Sequence, residues 1–125
     1  MRNFKITIQY DGTKYNGWQR QGNTKNTIQE KFETLLTKMC GKETEIFASG
    51  RTDAGVHADE QTANFKCDTS MNEMEMMNYI NIYSKQDLMI VNMFKNFISI
   101  AFIIKTMWSI KDIYYLYYLV LYLLE

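Results

Sequence analysis

Asp53 lies in the stretch "GRTDAGVHA", with Arg51 two positions before it, a glycine on either side at Gly50 and Gly55, and the chain's single histidine, His57, four positions after it. A carboxylate set among small residues can be approached closely by a planar substrate. Glycine tolerates backbone angles that other residues resist, so Gly50 and Gly55 could fold the segment into an exposed loop. Arg51 could hold a phosphate or stack on a base, and Thr52 could donate a hydrogen bond. Asp53 is then a candidate nucleophile or general base. The plainer alternative is a surface turn in which Asp53 caps backbone groups, and chemistry alone favours it. His57 fits a hydrogen-bonding role better than a catalytic one, because no serine or cysteine nucleophile has a triad-like context. Asp53 and His57 would need further ligands to hold a metal, and Asp59 and Glu60 read as a solvated acidic corner.

The elements that must position this loop are legible on both sides. Phe4, Ile6, Ile8 and Tyr10 alternate with Lys5, Thr7 and Gln9, the period-two pattern of a half-buried strand. Asp11-Gly12 ends it with turn chemistry, and "DGTKYNGWQRQGN" then reads as a loop with no apolar period. Thr27-Ile28-Gln29-Glu30 is a capping box, and Ile28, Phe32, Leu35, Leu36 and Met39 share one helical face ending at a Gly41 cap. Residues 43–48 predict a strand into the motif, and 61–67 a strand returning from it. Ser70-Met71-Asn72-Glu73 is a second capping box, ahead of a Met74, Met77, Ile80 stripe that reads as core. Residues 87–93 close the series as a strand. The order βαββαβ predicts a ferredoxin-like α+β sandwich with helices on one sheet face.

The bulk numbers bound the rest. A chain of 125 residues can bury a modest core without a disulfide or metal staple. Cys40 and Cys67 form no CxxC pair, a single histidine argues against structural zinc, and unpaired thiols without a secretory signal suit a cytoplasmic setting. Formal charge is zero, which does not advertise nucleic-acid binding. The charge is unevenly spread: residues 1–66 carry 10 Lys/Arg against 8 Asp/Glu, residues 67–125 carry 4 against 6, and all three arginines fall in the first part. Any RNA-facing surface is expected there.

From residue 97 the chain becomes a run of Ile, Leu, Tyr and Phe without turn residues. Its longest uncharged stretch, 113–124, is 12 residues, short of the roughly 20 a membrane span needs. A membrane-associated protein using this tail is the weakest of three functional alternatives.

The motif and its flanks resemble the TruA family of tRNA pseudouridine synthases, whose signature is the same GRTDAGVHA string. "YDGTKYNGWQRQ" at residues 10–21 is similar to the family's first loop, "TIQEKFETLL" at 27–36 to its first helix, and "DEQTANFKCDTSM" at 59–71 to the strand after the catalytic loop. The resemblance runs from Phe4 to about Asn92, roughly the family's N-terminal half, and demotes the plain-turn alternative. It implies that Asp53 is the catalytic aspartate, attacking uracil C6 or ribose C1′ of a flipped-out uridine without cofactor or metal, and that Arg51 supports that nucleotide. It implies a tRNA anticodon stem-loop as substrate, at positions thirty-eight to forty, and a homodimer as in the family. Lys14, Trp18, Gln19 and Arg20 lie in a loop that could meet RNA, with packing an equal alternative for Trp18. No membrane partner is expected.

Residues 1–93 are therefore expected to form the catalytic-loop domain and 94–125 an atypical tail. The family's C-terminal Lys-x-Tyr-type motif and its basic residue near the carboxylate are not recognisable here. The abrupt composition change suggests loss of the coding frame near residues 92–97. The alternative to a synthase is accordingly an inactive remnant, or an RNA-binding half-domain that keeps the loop without the rest of the cleft.

Overall fold

The computed structural model describes residues 1–95 and 110–124. Strand β1 spans Arg2–Tyr10, helix α1 Ile28–Cys40, β2 Ile46–Ala48, β3 Ala58–Cys67, helix α2 Glu73–Tyr83 and β4 Leu88–Lys95; a further helix, α3, covers Ile110–Leu124. The strands form one antiparallel sheet in the order β2-β3-β1-β4, the arrangement a βαββαβ sandwich requires. The Asp53 loop runs from edge strand β2 to central strand β3, and the other central strand, β1, leads into the segment beneath it.

Alternation in β1 decides which face is covered. Phe4, Ile6 and Ile8 are fully buried and Tyr10 nearly so. Phe4 pairs with Phe65 and Ile6 with Ala63 on β3, and Phe65 in turn pairs with Ile46 on β2. The Phe4 and Phe65 rings stack at 5.5 Å between centroids. Against this face α1 lays Ile28, Phe32 and Leu36, and α2 lays Met76 and Ile80. The other face carries Lys5 opposite Asn64 and Phe94, with Phe94 and Phe47 about half exposed.

Two irregularities adjust the register. Between Ile8 and Tyr10 of β1, β3 carries an extra residue near Asp59-Glu60, just after the loop. Between Thr7 and Ile8, β4 does the same near Val91, so that Ile90 and Met93 both face the core although they are three apart. A bulge bends its strand and re-aims its end. The first of the two lies where β3 leaves the loop.

Helix starts follow side-chain chemistry. Thr27 caps α1 by accepting from the Glu30 amide, and Gly41 closes it in the left-handed conformation at φ 74°. The second capping box is shifted from its expected place: Asn72 is the cap and Glu75 its partner, with both reciprocal bonds made. The strand expected from residue 43 begins at Ile46. Among the described residues no helix is long and apolar enough to cross a membrane. The expected change of frame near 92–97 and the first part of the tail fall largely on residues outside those described.

The expectation of unpaired thiols is overturned. Cys40, the last residue of α1, and Cys67, the last of β3, are joined in a disulfide with Cα atoms 5.9 Å apart. A separation of 27 residues conceals a proximity that the helix-on-sheet packing creates. The thiols therefore say nothing in favour of a reducing compartment.

The stacked Phe pair should dominate the core. Phe65→Ala is expected to lower unfolding free energy by about 3–5 kcal/mol in urea titrations. Phe94→Ala, on the open face, should change it by less than about 1 kcal/mol.

Candidate active site

The loop bearing Asp53 has little apolar surface of its own, so it must be held by its neighbours. Its underlay is the segment 10–18, which the sequence presents as an unpatterned loop. A 3₁₀ turn at Gly12–Lys14 follows Asp11, whose carboxylate accepts from the Thr13 amide and hydroxyl. Tyr15 and Trp18 are then turned inward, 4% and 2% exposed. Trp18 lies against Tyr10 and Phe32. Its placement on an RNA-facing surface is thus corrected to core packing: the indole ring fills the space between the end of β1 and helix α1.

Four hydrogen bonds tie the loop to this segment. The Trp18 amide donates to the Thr52 carbonyl at 3.0 Å, and the Gly55 amide to the Tyr15 carbonyl at 3.2 Å. The Tyr10 hydroxyl and the Thr52 hydroxyl meet at 2.6 Å. The Gly12 amide donates to Nδ1 of His57 at 3.0 Å. Within the loop the Val56 amide donates to the Asp53 carbonyl, closing a turn in which Gly55 has φ 79°.

These bonds require a backbone-to-backbone approach that side chains would block. A Cβ on Gly12 would penetrate the Val56 carbonyl, and one on Gly17 would lie 2.9 Å from the Thr52 carbonyl oxygen. Gly17 also has φ 88°, in the region that glycine occupies at little cost. The glycines singled out in the sequence were those beside Asp53. Gly50 has no positive φ and its virtual Cβ meets only a side-chain atom at 3.8 Å.

Asp53 itself is exposed, and among the described residues no donor or cation engages its carboxylate. Arg51 is exposed on the same loop and makes no ion pair there. Lys14 and Gln19 are also exposed. Arg20 behaves differently from its expected role. Its guanidinium pairs with Glu30 at 3.3 Å and with Glu33. Glu33 is 6% exposed, and its other oxygen accepts from the Ile46 amide and the Gln29 side chain. A buried carboxylate of this kind needs a counter-charge, so Arg20 is directed at α1 as a structural cation. No cluster of three or more His, Cys, Asp or Glu side chains among the described residues could hold a metal ion.

Tyr10 and Tyr15 were missed as site residues because tyrosines in a strand end and a loop give no chemical signal. Tyr15 donates to Asp87 Oδ1 at 2.8 Å. Burial first, and then the Asp87 hydrogen bond and negative charge, hold its phenol well above the ordinary value. Burial likewise raises Tyr10, partly offset by the Thr52 hydrogen bond.

The arrangement is thus an exposed carboxylate on a braced loop, at one end of an antiparallel α+β sheet and open to a large partner. Comparison with known proteins gives this arrangement its family. Residues 6–97 match the tRNA pseudouridine synthase family profile, and the chain belongs to that family. It is 52% identical over 92 residues to "tRNA pseudouridine synthase A 2" of Bacillus anthracis, covering 74% of this chain and 38% of that protein. With "tRNA pseudouridine synthase A" of Bacillus sp. (strain KSM-64) it shares 52% identity over 88 residues, 70% of this chain and 36% of the relative. With "tRNA pseudouridine synthase A 1" of Clostridium tetani it shares 54% over 65 residues, 52% of this chain and 26% of the relative. The chain thus matches between about a quarter and little more than a third of the length of these relatives.

Two measurements check the bracing. Gly12→Ala should destabilise the protein by at least about 2 kcal/mol and speed amide exchange across residues 52–56. Gly22→Ala, with nothing near its virtual Cβ, should stay within about 0.5 kcal/mol of the parent. Tyr15 gives a pH signature. Because its folded pKa is raised, its contribution is complete below about pH 10, the unfolded value, and is lost as pH rises through the folded one. Urea midpoints should fall with rising alkalinity in the parent, and less steeply in Tyr15→Phe.

Proposed function

We propose that this chain carries the nucleophile-bearing part of a tRNA pseudouridine synthase that isomerises uridine to pseudouridine in the anticodon stem-loop, at positions thirty-eight to forty. The observation that carries the proposal is the exposed, unengaged carboxylate of Asp53 on a loop fixed by four hydrogen bonds to the 10–18 segment. A nucleophile works best when its lone pair is free and its backbone cannot drift, since positioning supplies much of an enzyme's advantage.

The chemistry follows from that placement. A uridine swings out of its stack and presents its base and ribose to the loop. The Asp53 carboxylate forms a bond to uracil C6 or ribose C1′, the N1–C1′ glycosidic bond breaks, the base turns, C5 bonds to C1′, and the bond to Asp53 then breaks to free the carboxylate. N1 ends with a proton and C5 releases one to water, so the reaction is an isomerisation that consumes no cofactor. Arg51, two residues from Asp53 and without an ionic partner among the described residues, is suited to the flanking phosphate or the vacated stack. Lys14 and Gln19 offer exposed polar contacts on the adjoining segment. Arg20 and Trp18 are left out of the RNA-binding set for the reasons already given. A tRNA substrate is consistent with a cytoplasmic setting and, as in the family, a homodimer.

A second proposal, an RNA-binding half-domain without turnover, is favoured by the exposure of Asp53 on its loop. tRNA tritiated at uridine C5 separates the two. Release of tritium to water that falls at least about a thousandfold in Asp53→Asn establishes the synthase. Absence of release from folded parent protein that still binds the anticodon stem-loop establishes the half-domain.

A further inference from the structure

His57 closes the motif but has no part in the chemistry above. Its Nδ1 is 3.0 Å from the Gly12 amide nitrogen and also 3.0 Å from Asp11 Oδ1. An imidazole nitrogen has one in-plane site: it either accepts with a lone pair or donates with a proton. The two contacts are therefore mutually exclusive. Acceptance from Gly12 requires the neutral ring with its proton on Nε2, and donation to Asp11 requires a proton on Nδ1.

We propose that His57 is a positioning residue for the Asp53 loop: neutral His57 holds the loop down through the Gly12 amide, and protonation hands Nδ1 to Asp11 and releases that amide.

Several features make the exchange consequential. Asp11 does not follow the ring, because its amide donates to the Asp87 carbonyl and its carboxylate is held by Thr13. Those Thr13 hydrogen bonds, chiefly, keep the Asp11 carboxyl below its usual range, with His57 a smaller influence, so an anion is waiting when the ring is protonated. Gly12 cannot yield quietly, because its Cα lies against the Val56 carbonyl. Val56 closes the turn on Asp53, so a shift at Gly12 reaches the nucleophile's backbone within one turn.

The surroundings favour the charged ring over displacement by another cation. His57 borders an open recess of about 420 Å³. Tyr10 and Asp11 face it from the end of β1, Asp59 from β3 and Asp87 from the turn before β4, and among the described residues no Lys or Arg lines it. The proposal builds on Asp53 as the reactive group, but loop order can be read without turnover, so either can fail alone.

The test is an NMR titration of the full ¹⁵N-labelled chain over about pH 8 to 5, the range in which imidazoles change charge. At the upper end the His57 ring should be the Nε2–H tautomer. The Gly12 amide resonance should move with the same midpoint as the ring. Its exchange, corrected for intrinsic pH dependence, should quicken roughly tenfold, the scale of one lost hydrogen bond. His57→Asn puts a carbonyl oxygen where Nδ1 was, and should keep Gly12 protected and insensitive to pH over this range. His57→Gln carries its oxygen further out and should leave Gly12 unprotected throughout. A Gly12 resonance that stays flat while His57 titrates overturns the proposal, as does an Nδ1–H tautomer at pH 8 or a transition that persists in His57→Asn. The parent titration decides the matter even if a variant does not fold.

Discussion

The approach of two backbones, Gly12 and Gly17 on one side and Thr52–Val56 on the other, is the constraint on which the site depends. Hydrogen bonds between main chains form only when the chains come within about 3 Å, and here side chains at either glycine would hold them apart. The loop has almost no apolar surface with which to anchor itself. Its order is borrowed from the segment 10–18, and that segment's order comes from burial of Tyr10, Tyr15 and Trp18. The hydrophobic core thus reaches the Asp53 carboxylate in two steps: ring packing fixes the first segment, and close backbone contact transmits that fixity to the second.

Electrostatics completes the same division of labour. Arg20 neutralises Glu33, whose other oxygen caps the start of β2 through the Ile46 amide. One cation thereby joins the end of the first loop, helix α1 and the edge strand. Asp87 plays the matching part on the other side, accepting from Tyr15 through its side chain and from Asp11 through its carbonyl. Arg20, whose side chain stays about half exposed, is therefore already paired within the chain. The charges left for an external partner are fewer, and they include Arg51 on the loop itself and Lys14 below it.

Regular elements were legible because their signals are local. Phe4, Ile6, Ile8 and Tyr10 alternate as a strand must, Thr27 and Gly41 bracket α1 as predicted, and the βαββαβ order matches the observed sheet. Local signals also misled where two readings were adjacent. Ser70 and Asn72 both precede a Glu by three positions, and only the geometry of the chain after Met71 selects Asn72 as the cap. In β4 the bulge near Val91, which brings Ile90 and Met93 onto one face, is a feature of strand pairing and has no counterpart in the expected strand over residues 87–93.

By itself the sequence determined the chemical repertoire: a carboxylate, a guanidinium and one imidazole within seven residues, glycines to expose them, and a motif specific enough to imply a family. Tertiary structure alone decided what each neighbour does. It turned Trp18 inward and Arg20 toward Glu33, brought Cys40 to Cys67, and made Gly12 and Gly17, rather than Gly50, the glycines that matter. The physical reason is that residue type and spacing set what a side chain can do, whereas burial, counter-charge and close backbone approach depend on segments far apart in the chain that meet only when the sheet is assembled.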